Sequence, residues 1–148
     1  MKIMVSACLL GDNVKYDGTN NKNTKLIEFL NDYEIIKVCP EVLGGLSIPR
    51  VPAEIQNNKV INKEGIDVTK EYLLGARKAL EIAKKNNIKI AILKKNSPSC
   101  SSNKIYDGTF NHKLIEGDGI TVKLLKENGI KVYDEDNYSF IKREVINE

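Results

Sequence analysis

The sequence predicts an α/β domain of three layers, a mostly parallel sheet with helices on both faces. Four short apolar runs, most of them rich in Ile and Val, read as strands buried on both sides. Helical patterns alternate with them, as in three-layer α/β domains. Three cysteines each follow such a run, in loops crowded with turn residues. The 148 residues suit one domain, 1–148, which at this length buries roughly 68–70% of the unfolded chain's surface.

The expected strands are residues 3–7, 34–38, 89–93 and 130–133. Thr24 is placed to cap a helix over 25–31. The longest helix starts near Asp67 or Thr69 and runs to Asn86 or Asn87. Its Tyr72, Ala76, Ala79, Leu80 and Ala83 share one face, while Arg77, Lys78, Lys84 and Lys85 lie mostly on the other. A third helix, about 119–128, stops at Gly129, a left-handed C-cap. The alternation is Rossmann-like or flavodoxin-like. Residues 55–67 suggest a hairpin turning at Gln56-Asn57-Asn58, and 134–148 read as either a terminal helix or an edge strand. No linker-like segment divides the chain.

Net charge is +3, and the lysines are scattered apart from Lys84-Lys85 and Lys94-Lys95. With no Trp and no basic run interleaved with aromatics, this disfavours nucleic acid as a partner. The apolar start stops at Gly11-Asp12-Asn13, too soon for a signal peptide. No run reaches the ~18 apolar residues of a membrane span. The expectation is a cytoplasmic protein with no membrane partner; monomer and homodimer both stay open.

Cys8, Cys39 and Cys100 are odd in number and stand 31 and 61 residues apart, which suits a reducing compartment better than a disulfide scaffold. Loops beyond the carboxyl ends of strands in an open α/β sheet gather at one crevice. A lone cysteine there is often just a small buried hydrophobe, and Cys8 by itself reads so. Cys39-Pro40-Glu41 and Ser97-Pro98-Ser99-Cys100 differ, because proline stiffens the backbone beside each thiol. Three thiols can hold a soft metal or an iron–sulfur cluster and leave one coordination position open. Zinc, with His112 as fourth ligand in a Cys3His hydrolase site, is the alternative; the His-x-Glu and Pro-Cys-x-x-Cys pattern of zinc deaminases is absent.

Other candidates surround the cysteines. Glu41 shares a loop with Cys39. Ser97 can cap a turn or relay a proton for a substrate. Gly44 and Gly45 let backbone approach a ligand. Arg50 and Glu54 can pair with each other or contact an anionic or planar ligand. Tyr16-Asp17-Gly18-Thr19 recurs as Tyr106-Asp107-Gly108-Thr109, as two similar loop exits or as two loops clasping one ligand.

Together these stretches carry a resemblance. Val5-Ser6-Ala7-Cys8-Leu9-Leu10-Gly11, Lys15-Tyr16-Asp17-Gly18, Val38-Cys39-Pro40-Glu41-Val42-Leu43-Gly44-Gly45-Leu46, Pro49-Arg50-Val51-Pro52-Ala53-Glu54, Gly65-Ile66-Asp67-Val68-Thr69, Lys94 with Ser97-Pro98-Ser99-Cys100, and Tyr106-Asp107-Gly108-Thr109-Phe110 occur in order. They resemble the small single-domain family, formerly of unknown function, that includes the three-cysteine [4Fe-4S] thiouracil desulfidases. The resemblance implies a [4Fe-4S] cluster on Cys8, Cys39 and Cys100, liable to loss in air. It also implies non-redox conversion of a 2- or 4-thiouracil-type base to the oxo base plus sulfide. Glu41 and Ser97 are the implied catalytic residues, with Ser99 as fallback for the serine. Substrate-contact candidates are Tyr16, Asp17, Gly44, Gly45, Arg50, Glu54, Ser99, Ser101, Tyr106 and Asp107. Ser101 departs from the family's usual Gly; a small hydroxyl is expected to be tolerated there, with altered substrate fit or an added hydrogen bond left open. The partner domain of tRNA-acting relatives is absent, which points to free bases or nucleosides. A metal- or nucleotide-binding module without catalysis is the non-enzymatic alternative.

Overall fold

In the computed structural model, which describes residues 1–141, the chain runs β1 (Lys2–Ser6), α1 (Thr24–Phe29), β2 (Glu34–Val38), α2 (Pro40–Leu43), β3 (Ala53–Gln56) and β4 (Lys59–Asn62). It continues through α3 (Thr69–Lys85), β5 (Ile90–Ile92), β6 (Lys104–Tyr106), β7 (Leu114–Glu116), α4 (Ile120–Glu127) and β8 (Lys131–Tyr133). The central sheet has the order β2-β1-β5-β8 with every pairing parallel. Because side chains alternate across a strand, Ile3 and Val5 pack with Leu26, Leu30, Ile90 and Ile92 on the α1 face. Met4 packs on the opposite face with Ala83, Ala91, Val122 and Leu125, beneath α3 and α4. Both faces are covered, as a parallel sheet requires.

Several expectations shift. The first strand is Lys2–Ser6, and Ala7 opens a 3-10 turn, Ala7–Leu10, that carries Cys8. Asn23, not Thr24, caps α1: its side-chain oxygen accepts from the Leu26 N–H at 3.0 Å. Asn and Thr are both good caps, so the sequence left a one-residue ambiguity. Helix α1 then gives way at Leu30 to a 3-10 turn. The hairpin expected in 55–67 is β3–β4, with Asn57 and Asn58 at φ 49° and 66°, the positive pair a two-residue turn needs. Helix α3 falls within its expected bounds, burying Tyr72, Ala76, Ala79 and Ala83. Gly129 follows α4 at φ 80°. Helix α2 and the β6–β7 hairpin went unforeseen. Of the tail, 134–140 carries only a 3-10 turn, Tyr138–Phe140, and Ile141 is helical; the remainder, on which the choice between terminal helix and edge strand falls, lies outside the described residues.

The chain passes from β1 outward to β2, then crosses back over β1 to β5. That reversal is the topological switch point of an open α/β sheet, and the loops after β1, β2 and β5 meet beyond it.

Candidate functional site

Each of those three loops delivers one cysteine. Cys8 lies in the 3-10 turn after β1, and Cys39 follows β2 directly, in extended conformation ahead of Pro40, which starts α2. Cys100 is held by a turn in which Ser97 Oγ accepts from the Ser99 N–H (3.1 Å) and the Cys100 N–H (3.0 Å). Burial pushes all three thiols above their ordinary range, and each also feels like charge nearby: Cys39 for Cys8, Glu41 for Cys39, and Glu41, Cys39 and Cys8 for Cys100. The three sulfurs therefore share one electrostatic neighbourhood. Yet among the described residues no three His, Cys, Asp or Glu side chains close on a single ion. Three thiols in one neighbourhood suit a polynuclear cluster, in which each thiolate takes a different iron, and His112 is not placed with them as a Cys3His zinc site would need. His112 stands instead on an exposed turn, edge-on to Tyr106 with ring centroids 5.7 Å apart.

Glu41, in the first turn of α2, is gripped at both oxygens. Its Oε2 accepts from Arg50 Nη2 at 2.8 Å, and its Oε1 accepts from the Tyr72 hydroxyl. Arg50 is 6% exposed and Glu41 18%. Burial alone would lower the Arg50 pKa, but Glu41 beside it prevails and raises it. Burial, reinforced by Glu41, drives the Tyr72 hydroxyl far above its ordinary range. Tyr72 reaches Glu41 because α2 and α3 touch through backbone: a Cβ on Gly44 would stand 1.9 Å from Glu71 O, and one on Gly75 1.9 Å from Pro40 O. Gly44 thus serves helix packing, not ligand approach. Gly45 differs, at φ 91° with open space where its Cβ would be.

The Arg50–Glu54 pair does not form. Glu54 is buried, and its Oε1 accepts from the backbone N–H groups of Gly108 (3.0 Å) and Phe110 (3.1 Å), pinning that loop. Ser99 is fully buried, its hydroxyl 2.7 Å from Thr121 Oγ1. Ser101 is buried as well; it accepts from the Asn96 N–H at 2.9 Å and donates to Lys104 O. Both face inward, so neither is placed to touch a substrate, and the hydroxyl of Ser101 knits the Cys100 loop together. Asp17 and Asp107 make the same turn twice, each accepting from the N–H and hydroxyl of the threonine two residues on. The repeated motif thus encodes matched loop exits. Tyr16 is exposed and Tyr106 half-buried; the first loop is tied down by the Arg50 N–H donating to Tyr16 O at 2.7 Å.

Two features escaped sequence reasoning. Tyr72 lay on the apolar face of α3 and read as core, although a buried tyrosine hydroxyl needs a partner. Lys94 and Glu135 form a largely buried ion pair at 2.9 Å whose opposed charges both act on Cys8. A cleft of about 820 Å³ opens at the other end of the sheet, by the amino ends of β5 and β8, and holds none of these residues. Among the described residues no helix is long and apolar enough to cross a membrane.

Comparison with known proteins converges with this geometry. The chain is 41% identical over 149 residues to the uncharacterized protein YbbK of Bacillus subtilis (strain 168), covering 94% of this chain and 99% of that one. It is 40% identical to a solved structure, the [4Fe-4S]-dependent thiouracil desulfidase TudS, with a TM-score of 0.92 and 99% of each chain covered. The 2-thiouracil desulfurase family profile matches residues 3–137, so the chain belongs to the 2-thiouracil desulfurase family.

Proposed function

We propose that this protein is an iron–sulfur desulfidase that hydrolyses a thiolated pyrimidine of the 2- or 4-thiouracil type to the oxo base and sulfide. Residues 1–148 act as one domain in the cytoplasm, on free bases or nucleosides. The observation that carries the reading is the convergence of Cys8, Cys39 and Cys100 beside a carboxylate fixed at both oxygens. The cysteines would hold a [4Fe-4S] cluster, which supplies a sulfur-seeking Lewis acid with one iron free of protein ligands.

The remaining work falls to the chain. Glu41 takes a proton from water as the water oxygen bonds to the thiocarbonyl carbon. Arg50 and Tyr72 each engage one carboxylate oxygen, so the base is aimed before substrate arrives. Ser97 accepts two amide hydrogens, which orients its own O–H toward a bound ring. The carbon–sulfur bond breaks as carbon–oxygen forms, one water is consumed, one hydrogen sulfide leaves, and no electrons are exchanged.

Anaerobic purification with iron and sulfide analysis tests this. The expected result is a brown protein with about four irons per chain that converts thiouracil to uracil. Cys39→Ala should lose both colour and activity. A colourless zinc protein, or a Cys39→Ala variant with intact cluster absorbance and full turnover, would overturn the assignment.

A further inference from the structure

Arg50 uses its guanidinium unevenly. Nη2 donates to Glu41 Oε2 and to Val14 O (2.9 Å), and Nη1 donates to Ser47 O (3.3 Å). Nε is wholly buried and has no acceptor among the described residues. An unmet buried donor is costly and rare, so the acceptor it awaits is informative.

The nearest soft acceptor on this side of the guanidinium is a thiol that shares its carbonyl partner. Cys39 Sγ faces Val14 O at 4.0 Å, the same carbonyl that takes Arg50 Nη2, so sulfur and guanidinium flank one oxygen. Their mutual electrostatic influence runs both ways. As a thiol, Cys39 offers its hydrogen to Val14 O, while the backbone N–H groups of Val42 and Glu41 lie against its sulfur. As an iron ligand it has lost that hydrogen and becomes an acceptor. Val14 O then keeps Arg50 Nη2 as its donor, and Nε is the guanidinium nitrogen still without any acceptor.

We propose that Arg50 is a positioning residue for the cluster, whose Nε–H donates to the Cys39 sulfur when that sulfur ligates iron. The inference rests on the cluster assignment above and adds a residue to it. Hydrogen bonds to ligand sulfurs draw charge from the metal, raise its reduction potential and orient the ligand. One planar fork then sets both the electronics of Cys39 and the aim of Glu41. Lysine, a point charge without the fork, would keep the charge and lose this donor.

The test uses wild-type protein reconstituted anaerobically, grown with ¹⁵N-arginine and reduced with dithionite to the paramagnetic state. Arginine occurs only at Arg50, Arg77 and Arg143, so the label is sparse. Pulsed electron paramagnetic resonance should detect ¹⁵N coupled to the cluster. Arg50→Lys should abolish that coupling, shift the midpoint potential negative and speed iron loss in air several-fold. A loaded wild type without ¹⁵N coupling overturns the inference and leaves the cluster assignment standing. So does an Arg50→Lys variant that loads iron and keeps the wild-type coupling and potential. Should Arg50→Lys fail to fold, the wild-type coupling decides alone. Failure of the wild type to hold any cluster removes the functional reading and this inference together.

Discussion

The two walls of the crevice are made of different chemistry. On the Cys39 side stand Glu41, Arg50 and Tyr72, a charged network whose members come from α2, the loop before β3, and α3. On the Cys100 side stand Ser97, Ser99 and Ser101, neutral hydroxyls bonded mostly within their own turn. The charged wall holds its shape through partners distant in sequence, 9 and 31 residues away. The neutral wall is held mostly by bonds that span two, three and five residues, with the Ser99–Thr121 hydroxyl contact as its one long-range tie. A change on the first should therefore spread through the fold, whereas a change on the second should stay local.

Glu41→Gln should have the largest effect. Turnover should fall by roughly 10³-fold, and Arg50, left buried without its counter-charge, should lower stability by roughly 3 kcal/mol. Steady-state kinetics and urea unfolding check the two parts separately. An equal stability loss in Ser97→Ala would break the contrast between the walls. Ser97→Ala instead should slow turnover by roughly 10²-fold at unchanged iron content and cost about 1 kcal/mol, since only two amides lose their acceptor. The smallest effect should come from Tyr72→Phe, about 1 kcal/mol at neutral pH. That variant also sharpens the comparison through pH. Folding raises the Tyr72 pKa, so its stabilising contribution is complete below the unfolded value near 10.0. Above that, the unfolded chain ionises while the folded one resists, and the contribution is lost as pH rises toward the folded value. Wild-type and Tyr72→Phe unfolding curves should therefore draw together above pH 10.0.

How far the sequence revealed each wall follows from the same distinction. The inner strands β1 and β5 were readable because burial on both faces writes a continuous apolar run. Helix α3 was readable because burial on one face writes a 3.6 period. The cysteines' positions followed from the strands. Helix α2 has four residues, too few to show any period. Arg50 lies four residues from Glu54 and nine from Glu41, and proximity suggested the wrong partner. The register of β3 turns Glu54 toward Gly108 and Phe110 instead, which local sequence does not encode. Nor does a Ser-x-Ser-x-Ser spacing say which hydroxyls rotate inward; Ser99 and Ser101 did.

The reciprocal contact between Gly44 and Gly75 carries one more consequence. A mid-helix glycine ordinarily costs about 1 kcal/mol against alanine, so replacing it looks like an easy improvement. Here the missing methyl is a spacer of zero width: it lets two backbones meet and fixes how far a tyrosine must stretch to reach a glutamate. Any effort to stiffen this scaffold by filling α3 with better helix formers would push apart the very groups it hoped to steady, at a position that touches neither thiol nor substrate.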